Sequence, residues 1–496
     1  MQPLGFDLDE YRRRAERFCE ELSREYYLHL AGHKPDLEIE AIYRGYADLF
    51  TRDAMGRLRE LAAGTTDGEE RRRLRYLLHF CFEGVVGAET RRESAELAGL
   101  EATLEVDPGD GPVPYRTIPI EQANEADAER RGVLEELREQ VLAERLNPLH
   151  RASLERAHDL CRAFGWASYA DAYAELRGLD LEALAHQTAR FLDATEDLYP
   201  ELVDPQLERR GLLSLGELRR CDLPRFFRAT DLDSLFEAGG LIDSLRSTLA
   251  RLGVGLDGQD NIHLDTEPRP TKSARAFCST PRVPAEVYLV IAPHGGRDDY
   301  AALFHEAGHA EHYAHTDPRL AFEFRRLGDN SVTESFAFLL EHLVTEPTWL
   351  RERLAVEDPL PAVAQARASR LLLLRRYAAK LAYELELHGS PSRLEEMPAR
   401  YSELLTAALR VPWPRDSWLA DVDEGFYAAC YLQAWALEAR WRAALREAYG
   451  EDWFESAAAG EWLRGLWHEG QRLDAGELLA DTVGGELDFA ALAGAI

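Results

Sequence analysis

Apolar positions recur at the period of an α-helix along most of the chain. Residues 8–30, 129–160, 362–389 and 425–449 each combine stripes of leucine and alanine with charged faces, which is the pattern of amphipathic helices. Residues that favour helices dominate these stretches, while glycine and proline gather between them. The pattern predicts a mainly α-helical protein.

Two stretches break the helical period and indicate β-structure. Residues 101–120 (EATLEVDPGDGPVPYRTIPI) place two short extended runs around a DPGDG turn, which predicts a hairpin. Residues 284–296 (PAEVYLVIAPHGG) alternate like a strand and end at a glycine pair. No internal repeat of fixed period is present. We therefore expect a small β-element just before residue 300.

Length and charge narrow the function classes. The chain of 496 residues is long enough for about two to four average domains, or for one large helical shell with a smaller subdomain. Its 46% of apolar residues excludes disordered and low-complexity classes. Its formal charge of −31 would repel nucleic-acid backbones and anionic membranes, so neither is expected as a partner.

The cysteines and the N-terminal sequence predict a soluble cytoplasmic protein. The six cysteines are scattered and include no CxxC pair. The N-terminal sequence lacks the apolar core of a signal peptide. No uninterrupted apolar run approaches the ~20 residues that a membrane span needs.

The candidate chemistry lies directly after the predicted strand. Residues 298–315 (DDYAALFHEAGHAEHYAH) contain the motif H-E-x-x-H as His305, Glu306 and His309. On a helix the two imidazoles lie one turn apart and about 40° apart, so both can bind one Zn²⁺ ion. Glu306 would hold the water on the metal, as a general base must. The motif predicts one zinc ion per chain.

A second helix supplies a candidate for the third ligand that a catalytic zinc needs. Residues 328–343 (GDNSVTESFAFLLEHL) place Glu334 at the start of a strongly apolar helix, 25 residues beyond His309. That distance leaves room for a loop and a helix that returns beside the first. A glutamate among apolar neighbours is hard to explain as a solvated charge. The alternative is a surface helix pair whose histidines bind nothing.

The motifs HEAGH and VTESFAFLLEHL together resemble those of the thimet oligopeptidase and oligoendopeptidase F family of zinc peptidases. Residues 272–291 resemble that family's segment before the active-site strand, and residues 420–441 resemble its tyrosine-containing helix. The similarity covers residues 272–441, whereas the N-terminal half fits through its helical character alone. The resemblance implies that Glu334 is the third zinc ligand.

The resemblance also implies a fold and an activity. The fold would be a mainly helical, zincin-type metallopeptidase, in which region 1–270 walls a deep channel and region 271–496 binds the zinc. Such a channel would admit short unfolded peptides and exclude folded proteins. Zinc would polarise the scissile carbonyl and acidify its water, and Glu306 would pass the proton to the leaving amine. Strand 285–292, if one edge is free, would pair with the substrate backbone.

The family resemblance assigns a catalytic role to tyrosines of the later helix. Tyr427 and Tyr431 are four residues apart, so both would lie on one helix face. A phenol there would donate to the oxyanion, and Tyr431 matches best; the alternative is that both rings pack into the core. Where some relatives have a histidine, this chain has Gly425.

Rival interpretations differ in ligand set or in activity. His315 stands where a metzincin has its third histidine, but His312 replaces the glycine of that motif. If the helix continues, His315 points away from the zinc, so we reject this interpretation. Bacterial carboxypeptidases with the same ligands, which trim C-terminal residues, stay a rival, and so does a catalytically silent peptide-binding protein. The sequence decides neither the endo- or exopeptidase mode nor the oligomeric state.

Four further residues, His294, Asp329, Glu341 and His342, each have a structural interpretation. His294 and Asp329 also have a functional one. The backbone N–H groups near His294 would bind a peptide or merely end the strand in a turn. Asp329 would support a ligand histidine or cap a helix. Glu341 and His342 are expected to pack or to face solvent.

Overall fold

The computed structural model describes residues 6–389 and 391–496. Helix accounts for 71% of the structure and strand for 4%, so the prediction of a mainly α-helical protein is confirmed. The first five residues of the predicted region 1–270 and Ser390 of the region 271–496 lie outside the described residues. Within the described part, no helix has both the length and the apolar character needed to cross a membrane.

The α-helices are numbered in chain order. They are α1 (Leu8–Leu30), α2 (Ile39–Gly45), α3 (Arg52–Gly64), α4 (Gly68–Thr103), α5 (Ile118–Asn124), α6 (Ala128–Val141), α7 (Asn147–Ala163), α8 (Tyr169–Arg177), α9 (Leu181–Ala194), α10 (Leu198–Arg209), α11 (Leu223–Arg228), α12 (Leu241–Arg251), α13 (Arg297–His315), α14 (Phe322–Arg326), α15 (Asn330–Leu343), α16 (Pro347–Leu354), α17 (Leu360–Gly389), α18 (Met397–Leu409), α19 (Tyr427–Tyr449), α20 (Ala457–His468), α21 (Ala475–Thr482) and α22 (Ala490–Gly494). Short 3₁₀ turns connect several of them.

Three of the four helices predicted from the periodicity have nearly the predicted bounds: α1, α17 and α19. Helix α1 begins where the Asp7 side chain accepts a hydrogen bond from the Glu10 N–H at 3.0 Å, as an N-cap does. The fourth, 129–160, is divided into α6 and α7 by a π-helical turn at Leu142–Leu146. The regular ladder cannot continue through Pro148, because proline has no N–H to donate.

The predicted hairpin is present but shorter than the range 101–120. Strands β1 (Glu105–Val106) and β2 (Val113–Pro114) pair antiparallel. The Asp107 carboxylate closes the turn by accepting hydrogen bonds from two glycine N–H groups at 2.8 and 3.2 Å. Helix α4 extends almost to β1, and helical turns resume directly after β2, so only the centre of the predicted range is extended.

A three-stranded mixed sheet precedes α13. Its strands are β3 (Ile262–Asp265), β4 (Phe277–Arg282) and β5 (Glu286–Val290), in the order β3–β5–β4. Strand β5, which is the predicted strand, pairs parallel with β3 and antiparallel with β4. The condition for substrate pairing with strand 285–292, a free edge, is therefore not met. The side chains of β5 are nearly all buried, which is typical of a central strand.

The chain forms two compact units. The sheet unit comprises Met1–Val85, Asp231–Leu360 and Gln433–Leu487, and it contains the three-stranded sheet. The hairpin unit comprises Val86–Thr230, Pro361–Leu432 and Asp488–Ile496, and it contains β1 and β2. The predicted division of roles at residue 270 stays a prediction.

A buried carboxylic acid lies on α17 in the hairpin unit. Glu384 is 0% exposed, and its Oε1 accepts a hydrogen bond from the Asp423 N–H at 2.8 Å. The Lys380 ammonium group pairs with the Asp423 carboxylate at 2.8 Å. Burial raises the pKa of Glu384 to about 8, although Lys380 opposes the shift. Glu384 is therefore mostly protonated in the folded protein at neutral pH.

We expect the free energy of unfolding to depend on pH through Glu384. Its pKa is about 8 in the folded protein against an ordinary value of 4.5, so between these values the folded protein binds more protons than the unfolded chain. This stabilisation is complete below the ordinary pKa and is lost as the pH rises to about 8, by roughly 1 kcal/mol per pH unit. Glu384→Gln keeps the acceptor oxygen but does not titrate, so it should gain stability relative to the wild type as the pH rises.

Urea unfolding of both proteins between about pH 5 and pH 8 measures this difference. Glu201→Gln is the control, because it changes an exposed glutamate on α10 of the same unit; its difference from the wild type should not change with pH. A pH-independent difference for Glu384→Gln would mean that Glu384 is ionised in the folded protein.

Candidate metal centre

Helix α13, which contains the H-E-x-x-H motif, begins at a sharp turn. Gly295 and Gly296 adopt positive φ angles of 85° and 89°, which glycine tolerates. The Asp299 carboxylate accepts hydrogen bonds from the N–H groups of His294 and Gly295 at 2.6 and 2.9 Å. These N–H groups are bound within the turn, so they are not available to a peptide. Of the two interpretations of His294, the turn that ends the strand is the one that the structure shows.

Helix α15 is buried along most of its length. The Asp329 side chain accepts hydrogen bonds from the N–H groups of Ser331 and Ala475 at 2.9 and 3.0 Å. Asp329 is thus the N-cap of α15. Residues 331–340 are all buried, so the alternative of a surface helix pair does not describe this helix.

Helices α13 and α15 cross in direct backbone contact at Gly308. A Cβ atom at this position would lie 2.3 Å from the Phe336 carbonyl oxygen and 2.5 Å from the Ala337 Cα atom. Because no side chain fits at these distances, the crossing requires glycine. The close crossing places Glu334, less than one turn earlier on α15, beside the two motif histidines.

His305, His309 and Glu334, the three residues predicted to bind zinc, lie together. One ligand atom from each lies within 4.8 Å of the others. The Oε2 atom of Glu334 is 3.4 Å from His305 Nε2 and 3.7 Å from His309 Nε2. Helix α13 supplies two of these groups and α15 the third, so the site depends on the crossing of the two helices.

Two residues of α15 bind the other ring nitrogens of the histidines. His305 Nδ1 is 2.9 Å from Glu341 Oε2. His309 Nδ1 is 2.8 Å from Thr333 Oγ1. Both Nε2 atoms are thereby left facing Glu334, as in sites where outer hydrogen bonds orient the ligands.

The sequence pattern does not identify these two positioning residues. No motif points to Thr333, and the prediction that Glu341 only packs or faces solvent is wrong. Helical spacing is the signal for Glu341, because it follows Glu334 by two turns on the same helix face. Thr333 has no comparable signal beyond its place directly before Glu334.

The three ligand groups fit a tetrahedral metal ion. Two imidazole nitrogens and one carboxylate oxygen form the ligand set of many catalytic zinc sites. Metal–ligand bonds of about 2.0–2.1 Å place tetrahedral ligand atoms about 3.3 Å apart. The observed separations of 3.4 and 3.7 Å are close to this value. Three ligands leave one position for water or substrate.

The two histidines have opposite pKa shifts. Burial acts to lower the pKa of His305, but hydrogen bonds to Glu334 and Glu341 outweigh it and raise the pKa to about 10. Burial lowers the pKa of His309 to about 4. Positive charge beside the two glutamates is therefore favourable, and a divalent cation would supply it in place of the proton.

Glu306 lies beside this cluster and is bound by β4. The Cys278 N–H donates a hydrogen bond to Glu306 Oε2 at 2.8 Å. Burial raises the pKa of Glu306 to about 6, although the charge of His305 opposes the shift. A carboxylate with this pKa is mostly ionised at neutral pH and can accept and release a proton.

His315 lies apart from the cluster. Helix α13 continues to this residue, where His315 Nδ1 is 2.9 Å from the Glu311 carbonyl oxygen. The His315 ring lies 5.1 Å from the Trp467 ring. This arrangement agrees with the rejection of a metzincin site.

The tyrosines predicted to act in catalysis lie in the hairpin unit. The rings of Tyr427 and Tyr431 are 5.0 Å apart in a T-shaped arrangement, so they share one face of α19. Both side chains are half-buried. Gly425 has a φ angle of 61°, and a Cβ atom there would lie 2.7 Å from the Tyr173 ring, so a histidine would strain the backbone and displace Tyr173. The role of the tyrosines as oxyanion donors stays a prediction.

Comparison with known proteins adds no relative. No protein-family model matches the chain, and no curated protein matches it significantly. The resemblance to the zinc peptidase family therefore rests on the sequence motifs and stays a prediction.

Gly308→Ala should weaken metal binding. The added methyl group would collide with the α15 backbone, so the helices must separate and move Glu334 away from the histidines. We expect a loss of stability of about 1–3 kcal/mol and a weaker zinc affinity. Thermal unfolding and titration of the metal-free protein with zinc measure the two effects.

Gly56→Ala is the matched control. Gly56 lies inside α3 of the same unit, and a Cβ atom there has nothing within 4 Å. This change should preserve zinc affinity and leave stability equal or slightly higher. Wild-type zinc affinity in Gly308→Ala would show that the close helix crossing does not set the ligand geometry.

Proposed function

We propose that the protein is a zinc-dependent peptidase that hydrolyses peptide bonds in short unfolded peptides. The observation that carries the proposal is the convergence of His305, His309 and Glu334, with Glu306 beside them on α13. Three ligand groups with an adjacent carboxylate form the arrangement that zinc hydrolases use. The family resemblance supplies peptides as the substrate class.

The residues of the chain have separate tasks in this reaction. Bound zinc would polarise the scissile carbonyl group and lower the pKa of a bound water molecule. Glu306 would accept the proton of the attacking water and return it to the leaving amine. The Cys278 N–H would keep the Glu306 carboxylate in place. Glu341 and Thr333 would fix the orientation of the histidine rings.

The proposal does not include pairing of a peptide with β5, because both edges of β5 are already hydrogen-bonded, one to β3 and the other to β4. On the neighbouring strand β4, the Cys278 N–H binds Glu306, and the Thr280 carbonyl oxygen accepts a hydrogen bond from Arg326. The preference for short unfolded peptides therefore rests on the resemblance, in which the helices of region 1–270 wall a channel.

A catalytically silent protein with a structural metal clip is the weaker alternative. Structural zinc sites fill four positions with protein ligands, often cysteines. Among the described residues, the group able to bind a metal consists of three side chains and no cysteine. Trimming of C-terminal residues stays open as a mode of action, and mass spectrometry of the products distinguishes it from internal cleavage.

The proposed location is the cytoplasm. All six cysteines are free thiols, as is usual in a reducing compartment. The formal charge of −31 disfavours nucleic acids and anionic membranes as partners. The partners that the proposed activity requires are peptide substrates.

The proposal predicts cleavage of quenched fluorescent peptides that a chelator abolishes and added zinc restores. Glu334→Ala should lose most of the bound zinc, because two imidazoles and water form a poor site. Glu306→Gln should keep its zinc but lose activity by about 10²–10⁴-fold, since an amide cannot accept a proton. Glu352→Gln, on the exposed surface of α16, is the control with wild-type behaviour.

Elemental analysis and initial rates provide the measurements. Full zinc content in Glu334→Ala would remove Glu334 from the ligand set. Activity retained in Glu306→Gln would contradict the proposed base. Failure of the wild type to cleave any peptide in a diverse library would favour the silent protein.

Tyr431→Phe tests the predicted oxyanion donor, because it removes the hydroxyl group and keeps the ring. A phenol that donates to the developing negative charge acts mainly on the transition state. We expect kcat to fall by about 10²–10³-fold with little change in KM, at unchanged zinc content and melting temperature. Tyr427→Phe is the comparison on the same helix face. A kcat of Tyr431→Phe within about twofold of wild type would place the donor elsewhere.

A further inference from the structure

The segment that leads into β4 is anchored on both sides of Arg275. Before it, the Ser273 N–H donates a hydrogen bond to the Leu30 carbonyl oxygen at 2.7 Å. The Ser273 hydroxyl group then bonds the Arg275 backbone, accepting from its N–H at 3.2 Å and lying 3.1 Å from its carbonyl oxygen. After it, the Cys278 N–H binds Glu306. The backbone of Arg275 is thus fixed three residues from the contact with the proposed base.

Arg275 differs from the other cationic residues of the segment 269–282 because they each pair with a carboxylate and its guanidinium group does not. Arg269 and Lys272 both pair with Asp265, and Arg282 pairs with Glu286. Arg275 is exposed, and its guanidinium group has neither a hydrogen bond nor an ion pair with any part of the chain that the structure describes. Acids outnumber bases by 89 to 58 in this chain, so the lack of a carboxylate partner does not follow from a shortage of acids.

Arg275 also precedes by three residues Cys278, whose N–H binds the proposed base. Three residues span at most about 10 Å, so the Arg275 backbone lies near the residue whose N–H binds the proposed base. The guanidinium group binds carboxylates through two parallel hydrogen bonds, and every peptide with a free C-terminus carries a carboxylate.

We infer that Arg275 is a specificity-determining residue that binds a carboxylate group of the peptide substrate. This inference rests on the proposed function and adds a preference to it. The carboxylate has two possible sources, the C-terminus of the peptide and the side chain of an aspartate or glutamate near the cleaved bond. Both offer the same planar, bidentate partner to the guanidinium group.

Matched peptides distinguish the two sources. One pair has the same sequence with a free or an amidated C-terminus, and a second pair has glutamate or glutamine near the cleaved bond. Wild-type kcat/KM should be about tenfold higher for the carboxylate member of at least one pair. In Arg275→Gln this ratio should fall to about one. Loss of the ratio in the first pair identifies the C-terminus, and loss in the second pair identifies a side chain.

Arg282→Gln is the control, because Arg282 is an exposed arginine at the other end of β4; it should keep the wild-type ratio. A wild type that cleaves both members of each pair equally would overturn the inference, and so would an Arg275→Gln protein that keeps the ratio. An equal loss of activity on all peptides in Arg275→Gln would also overturn it, since that result means an effect on Glu306 alone. Absence of cleavage by the wild type would instead contradict the proposed function.

Discussion

The candidate site depends on one steric constraint, the backbone contact between α13 and α15 at Gly308. The distance from a Cβ atom to the Phe336 carbonyl oxygen would be only 2.3 Å, so any side chain would force the helices apart. The two histidines come from one helix, and Glu334 comes from the other. The separation of the helices therefore sets the separation of the ligand groups. A motif residue that contacts no metal thus controls whether the other motif residues can act together.

The same crossing places several ionisable groups in a buried region, where each needs a partner. Glu334 and Glu341 stabilise positive charge at His305, and Thr333 binds the second histidine through its hydroxyl group. Glu306 has a backbone partner on β4. Buried polar groups are stable when they are bonded to each other. The outer hydrogen bonds therefore stabilise the fold of the sheet unit as well as orient the ligand groups.

Local features of the sequence predicted much of this arrangement. The features that could not be predicted depend on contacts between residues that are far apart in the chain. The bounds of α1 follow from apolar periodicity and a capping aspartate, both of which act within a few residues. The ligand spacing on α13 follows from helix geometry, and the apolar surroundings of Glu334 indicated a buried helix. The central place of β5 depends instead on β3, about twenty residues earlier, and no local pattern specifies that pairing. The bond between Glu341 and His305 likewise requires the helix crossing to be known first.

The bond between Cys278 and Glu306 has a consequence for variation at residue 278. The donor is a backbone N–H group, which nineteen of the twenty amino acids possess and which proline lacks. The side chain at 278 can therefore change its polarity or redox chemistry without removal of the group that orients the base. The orientation of Glu306 thus depends on the backbone of β4 at residue 278 and not on the chemistry of the side chain there.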